Sequence, residues 1–252
     1  MKMMKVCFTF LTALVVLTAL AGRSSAANLL LNGNLDNTLH VGGGASGQTP
    51  DNWTLDEFKT NSGPTTDLID LEAFAGSVGA NTNPGDLGGF VKAFQGNNIT
   101  GDWANLNMYQ DVPAVPGLTY QFAGFIGAGS NYSGLLPGSP TQTLLTIEFD
   151  NDNNRANGVL SSVTTNVGPS LTPGSGQPGW NAQIYSATGT APAGTLFVRG
   201  VFSALNMFSQ PNPDPSAFVD DFSMQTVVPE PTTIGLSLLG LVGMIGLGRR
   251  RG

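Results

Sequence analysis

Apolar and polar residues alternate with a period of two along several stretches of the chain. In Gly117–Gly124, Leu118, Tyr120 and Phe122 point one way while Thr119 and Gln121 point the other. In Gln142–Asp150, Leu145, Ile147 and Phe149 share a face against Thr146, Glu148 and Asp150; in Thr195–Phe202, Leu196, Val198 and Phe202 share one with Arg199 opposite. Period two with a single apolar face predicts antiparallel strands buried on one side. Two such sheets bury those faces by packing on each other as a sandwich. The same reading predicts strands at Asn28–Gly33, Trp53–Phe58, Leu68–Phe74, Gly89–Gln95 and Asn105–Val112. With 34 Gly and 16 Pro in 252 residues, turn signals interrupt the chain too often for long helices. Long polar loops at Ala75–Leu87, Gly127–Thr141 and Gly168–Gly179 are expected to connect the ends of the sheets. The chain shows no internal repeat at solenoid spacing. The expected fold is an all-β antiparallel β-sandwich spanning residues 28–227.

Both ends depart from that pattern. Lys2 and Lys5 precede an apolar run, Val6–Ala21, and the small residues Ser24-Ser25-Ala26-Ala27 follow. A charged start, an apolar run and a small-x-small site make a secretory signal peptide over residues 1–27, with cleavage after Ala26 or Ala27 equally readable. At the other end, Val228-Pro229-Glu230-Pro231 stops the sheet pattern, because proline cannot continue it. Thr232–Leu247 is apolar and uncharged, and Arg249, Arg250 and Arg251 follow. As a helix that run would extend about 24 Å, slightly short of a hydrocarbon core of about 30 Å, a gap that flanking residues can close. The arginines would stay cytoplasmic, with everything before Val228 on the other side. A plain transmembrane anchor is one reading of residues 228–252.

Charge sharpens the division. Six of the ten Lys and Arg lie in the two ends, but only one of the seventeen Asp and Glu. Residues 28–227 therefore hold four cations against sixteen carboxylates, a net charge of −12 compared with −7 for the whole chain. Such a domain repels phosphate backbones and excludes nucleic acid as a partner; it suits divalent cations or neutral polymers. The only cysteine, Cys7, lies in the signal peptide, so the domain has no disulfide, thiol nucleophile or cysteine metal site.

The order Val228-Pro229-Glu230-Pro231, glycine-rich apolar span and Arg249-Arg250-Arg251 resembles the PEP-CTERM sorting signal of bacterial envelope proteins. A segment of this kind also goes by the name of ice-binding protein C-terminal domain, which says nothing about ice here. The resemblance implies an exosortase, a membrane protease-transpeptidase, as partner. It implies transient residence in the inner membrane, then transfer to the cell surface or an exopolysaccharide matrix. Such a motif is an address and leaves the activity open.

A second resemblance covers the middle. Asn28-Leu-Leu-Leu-Asn-Gly-Asn-Leu-Asp36 resembles the opening of jelly-roll carbohydrate-binding modules with a galactose-binding-like fold, and Pro50-Asp-Asn-Trp53 their next motif. Tyr109–Pro113 with Pro116–Tyr120, Trp180 with Thr190–Thr195 and Val198, and Phe218-Val219-Asp220-Asp221-Phe222 follow in the same order. Leu35-Asp36 stands where those modules carry Phe-Glu, so the carboxylate is shorter. The resemblance implies a structural calcium ion where the first and last strands meet. By position its ligands would be Asp36 and Asp220, with Asp221 as a further candidate. Calcium takes six to eight hard oxygen ligands, which carboxylates and free carbonyls supply. The other reading is that Asp220 and Asp221 end a strand near solvent.

Catalytic patterns are sparse. His40 is the only histidine and lies in a glycine-rich loop, which suits loop surface better than a triad. Glu57, Glu72 and Glu148 are the only glutamates of the domain and are well spread, with no Glu-x-Asp-x-x-Glu cluster. Asp150-Asn151-Asp152-Asn153-Asn154 resembles the start of a calcium loop, but Arg155 and Ser161 stand where an EF-hand needs Gly and Glu; an Asx-rich turn accounts for it more simply. Trp53 and Trp180 read as core. Trp103 and Tyr132 lie among polar loop residues, where a ring can stack on a sugar or plug its own loop. Three sequons, at Asn52, Asn98 and Asn131, are chance matches in a bacterial setting. The expectation is thus a non-catalytic module that binds an extracellular polysaccharide through Trp103 and Tyr132. The alternative is a structural matrix protein without a specific ligand.

Overall fold

Twelve strands appear among the described residues, and alternation sets most of them. In chain order they are β1 (Thr54–Lys59), β2 (Gly63–Pro64), β3 (Ile69–Glu72), β4 (Gly88–Val91), β5 (Trp103–Pro113), β6 (Thr119–Gly129), β7 (Gln142–Asp150), β8 (Val159–Asn166), β9 (Pro173–Gly174), β10 (Gln183–Thr190), β11 (Phe197–Phe208) and β12 (Ala217–Thr226). The structure is a computed structural model that describes residues 27–36, 49–60, 63–64, 68–72, 87–93, 102–152, 158–174, 183–208 and 216–227. Residues 1–26 of the expected signal peptide, the apolar run 232–247, His40 and Trp180 lie outside these residues. No helix among the described residues is long and apolar enough to cross a membrane.

The strands form two sheets. The first has the order β2-β1-β5-β11-β7-β8 and the second β10-β6-β12-β4-β3, with the short β9 beside β6. All pairs are antiparallel except β6 with β9. The chain repeatedly crosses between sheets: from β5 to β6, back to β7, and again from β10 to β11 to β12. Asn28–Thr226 form one compact unit, a jelly-roll β-sandwich.

The core lies between the sheets. Leu106, Met108 and Val112 of β5, Val198 and Phe202 of β11 and Leu145, Ile147 and Phe149 of β7 point into it from the first sheet. Phe222 of β12 is its hub. It stacks on Phe122 of β6 at 5.4 Å with the rings 8° from parallel. It also meets Trp53 at 5.2 Å and Phe202 at 6.1 Å. Two glycines make room for these rings: a Cβ on Gly200 would come within 2.5 Å of the Phe122 ring, and one on Gly124 within 2.4 Å of Phe222.

Residues 28–33 are not a strand but an irregular segment with a turn. The physical reason is a network of side-chain bonds that replaces a ladder. Asn28 donates from Nδ2 to the Phe222 carbonyl at 3.0 Å, and its Oδ1 accepts from Met224 N at 2.9 Å and Leu30 N at 3.1 Å. Gln110 clasps Leu31 through both backbone groups, and Trp53 Nε1 donates to the Asn32 carbonyl at 2.9 Å. Asn32 and Leu35 adopt positive φ, which a straight strand would not contain.

Candidate functional site

The outward face of the first sheet carries the chemistry. On β5 the outward positions are Trp103, Asn105, Asn107, Tyr109 and Asp111. Register places Ser203, Val201 and Arg199 of β11 opposite Asn107, Tyr109 and Asp111, and Thr146 and Glu148 of β7 opposite Val201 and Arg199. On β1, Phe58 pairs with Asn105, which puts its ring diagonally beside Trp103.

Those two rings stand out toward solvent. Trp103 is 38% exposed and Phe58 37%. Their centroids are 5.4 Å apart with planes inclined at 33°. Thr60 N donates to the Trp103 carbonyl at 3.1 Å, which fixes the strand end under the indole. Trp103 thus opens β5, whereas the sequence placed it in a loop.

The middle of the face is polar and tied together. Ser203 Oγ donates to Asn107 Oδ1 at 2.7 Å, and Asn105 Oδ1 accepts from Asn206 N at 2.7 Å. Arg199 donates to Asp111 from Nε at 2.7 Å and from Nη2 at 3.0 Å. Its guanidinium lies 4.7 Å from the centre of the Tyr109 ring, and Nη1 is 3.6 Å from Glu148 Oε2. Burial alone would lower the Arg199 pKa. The hydrogen bonds and charge of Asp111, with the charges of Asp150 and Glu148, outweigh burial and hold it above the ordinary value. Asp150, at the end of β7, is fully buried, and neither of its oxygens accepts a hydrogen bond. Burial pushes its pKa up to about 6; Arg199 pulls it down, and the charges of Glu148, Asp111 and Asp152 add to the rise.

Tyr132 is corrected. It is buried, and its hydroxyl shares a 2.9 Å hydrogen bond with Thr143 Oγ1. Burial, offset in part by that bond, raises its pKa to about 12. The ring enters a 3₁₀ turn, Ser133–Leu135, and plugs its own loop, which leaves it no face for a sugar. The polar neighbours that suggested exposure are themselves satisfied inside: Thr141 Oγ1 donates to Ser133 Oγ at 2.8 Å and lies 2.9 Å from the Asn206 carbonyl.

The expected calcium ligands flank the seam between the first segment and β12. Leu29 N donates to the Met224 carbonyl at 2.8 Å and Phe222 N to the Gly33 carbonyl at 2.7 Å, so the two ends of the domain lie side by side. Asp220 is buried and its Oδ1 accepts the Asp221 amide at 2.7 Å. Asp221 sits at positive φ within an irregularity of the β12–β6 ladder. Asp36 accepts the Leu87 amide on Oδ1 at 2.8 Å, and the Asn34 side-chain amide meets its other oxygen. Among the described residues no three acidic, histidine or cysteine side chains gather as a metal-binding group. Hydrogen bonds already join the two ends, and Asp36 serves as an anchor for Leu87.

Val228, Pro229, Glu230, Pro231, Arg249, Arg250 and Arg251 lie outside the described residues. Phe58 escaped the sequence reading, since nothing in Trp53–Phe58 alone shows which neighbour its outward ring meets. The Arg199–Asp111 pair escaped it as well, because the partners are 88 positions apart.

Comparison with known proteins adds two kinds of finding. No curated protein matches the chain. Among solved structures, the enzymatically active domain of tailspike protein 4 from bacteriophage CBA120 superposes with a TM-score of 0.49 at 16% identity; the match covers 79% of this chain and 21% of that one, so the chain spans about a fifth of that domain's length. TmCBM61, solved in complex with β-1,4-galactotriose, gives 0.43 at 12% identity over 80% of this chain and all of that one. A CBM4 structure gives 0.39 at 13% identity over 78% and 99%. At the other end, the family description PEP-CTERM protein-sorting motif matches residues 227–251. The chain carries a PEP-CTERM sorting motif at residues 227–251, which follows an antiparallel jelly-roll β-sandwich in the sequence.

Proposed function

We propose that this is an exported, exosortase-sorted protein of the cell surface or extracellular matrix whose sandwich is a non-catalytic carbohydrate-binding module. The sorting motif supports export and surface delivery after transient residence in the inner membrane. The exposed Trp103–Phe58 pair carries the binding reading. An aromatic pair at the head of a row of amides and hydroxyls matches a pyranose, which has apolar C–H faces and a rim of hydroxyl groups. The net charge of −12 on residues 28–227 selects against anionic polymers, so the polysaccharide is neutral or cationic and nucleic acid is no partner. Asp111 and Glu148 serve Arg199, which supports binding over glycoside cleavage on this face.

Affinity electrophoresis of the chain through gels that contain neutral polysaccharides tests this reading. Trp103→Ala should release the retardation and lose about 1–3 kcal/mol of binding, by analogy with aromatic stacking on bases. Phe58→Ala should weaken it in the same direction. Retention unchanged by both substitutions would remove the platform. Retention by no polysaccharide would favour a structural matrix protein, a reading that the wholly structural use of Tyr132 supports. A calcium ion held by Asp220, with Asp36 or Asp221, remains part of the proposal because the first segment and β12 adjoin as that site requires.

A further inference from the structure

The margins of a sandwich are where its backbone donors and acceptors face outward. Sheets escape edge-to-edge association when those margins are short, charged, proline-bearing or covered. One margin here follows that rule. It ends in β2, two residues that include Pro64, and in β3, four residues that include Asp70 and Glu72. The opposite margin, formed by β8 and β10, does not. Each strand is eight residues long, and neither contains Asp, Glu, Lys, Arg or Pro. Among the described residues the ladder of β8 is bonded on one side only, to β7, and seven of its eight residues are exposed, with Thr165 half-buried. Val159, Leu160 and Val163 stand 40–43% exposed along it. β8 is also held firm: Thr146 and Thr164 share a 2.9 Å hydrogen bond, and Thr165 Oγ1 donates to the Ser186 carbonyl of β10 at 2.9 Å.

We propose that β8 is a self-association edge, on which β8 of a second copy pairs antiparallel about a two-fold axis and joins the two first sheets. Charge selects a second copy as the occupant. Sixteen carboxylates against four cations make two copies repel over most of their surface, and β8 is a long stretch without an acid. A basic partner would find no carboxylate on this strand to meet. Antiparallel pairing is self-complementary, since each copy offers the donors and acceptors that the other lacks. It also sets Asp152, which lies beside Gly158 at the entry of the strand, toward the uncharged Asn166 end of the other copy rather than beside its own kind. With Val159 opposite Asn166 of the other copy, Leu160 would face Thr165, Ser161 would face Thr164 and Ser162 would face Val163 across the new ladder.

The test uses the full chain in mild detergent with the detergent density-matched. Sedimentation should show the protein mass of two copies as concentration rises from about 1 to 100 μM. Hydrogen exchange over the same range should slow at the amides of 159–166. Ser162→Lys with Val163→Lys, which sets each new charge directly opposite a new charge of the other copy, should halve the sedimenting mass while circular dichroism keeps the β signal. One-copy mass at all concentrations would overturn the proposal. So would a two-copy mass in the folded variant, or self-association that leaves the 159–166 amides unchanged. If the variant fails to fold, the concentration dependence of those amides in the unaltered chain decides.

Discussion

Arg199 on β11 holds Asp111 on β5 through two parallel hydrogen bonds, although the arginine is fully buried on the outward side of its sheet. A buried guanidinium needs its counter-charge, because water no longer solvates it. Asp111→Ala should therefore cost about 3–5 kcal/mol, the typical loss when one member of a buried pair is removed. Urea unfolding of the two chains measures it. A loss within the few tenths usual for surface changes would mean that Glu148 and Asp150 hold Arg199 unaided.

Sorting has a covalent signature. Exosortase action near Val228-Pro229-Glu230-Pro231 should separate the domain from the apolar run and its arginines. Intact-mass analysis of the extracellular protein is expected to lack residues 235–252. Replacing Arg249, Arg250 and Arg251 with Ser should leave the uncut chain in the cell. A full-length C-terminus recovered only from inner-membrane fractions would make the segment a permanent anchor.

The calcium proposal separates two roles for Asp36. As an anchor for the Leu87 amide, it supports the fold with or without metal. As a ligand with Asp220, it would make melting depend on calcium, by about 2.7 kcal/mol at a hundredfold excess over the dissociation constant. The expected result is a higher melting temperature in millimolar calcium than in chelator, with the difference abolished by Asp220→Ala. Equal melting in both would leave Asp36 only its hydrogen bonds.

Sequence patterning reached the strands that have a buried face and missed those that lack one. Gln142–Asp150 was legible to the residue, because Leu145, Ile147 and Phe149 meet the core on one side, and Thr146 and Glu148 on the other meet the polar partners Thr164 and Arg199. β8 and β10 left no such trace. They are margin strands: Val159-Leu160-Ser161-Ser162 has no face to alternate against, and β10 fully buries only the small Ala187. Residues 28–33 read as a strand because their leucines are apolar, yet side chains of Asn28 and Gln110 take up the backbone bonds. For the candidate site, exposure was the illegible quantity. Trp103 and Tyr132 sit in similar polar company, and only the hydroxyl of Thr143 on β7, which takes the Tyr132 hydroxyl, separates a plug from a platform.

Asp150 gives the fold a pH dependence of its own. The carboxylate is buried without a hydrogen-bond donor, and its pKa stands at about 6 against an ordinary 3.8. Below the ordinary value both folded and unfolded chains hold the proton, so Asp150 costs nothing. As pH rises through the interval, the unfolded chain gives up its proton first and is favoured by doing so. Stability is thus lost between the two values and stays lost above the higher one. The loss reaches about 3 kcal/mol, from two units at about 1.4 kcal/mol each. Asp150→Asn carries no charge at any pH and escapes this loss. The variant should therefore be more stable than the parent at about pH 8 and gain nothing at about pH 4, with the difference opening between those limits. Urea-unfolding series of both chains across that range measure it. Parallel curves would show that Arg199 compensates the charge of Asp150 in full.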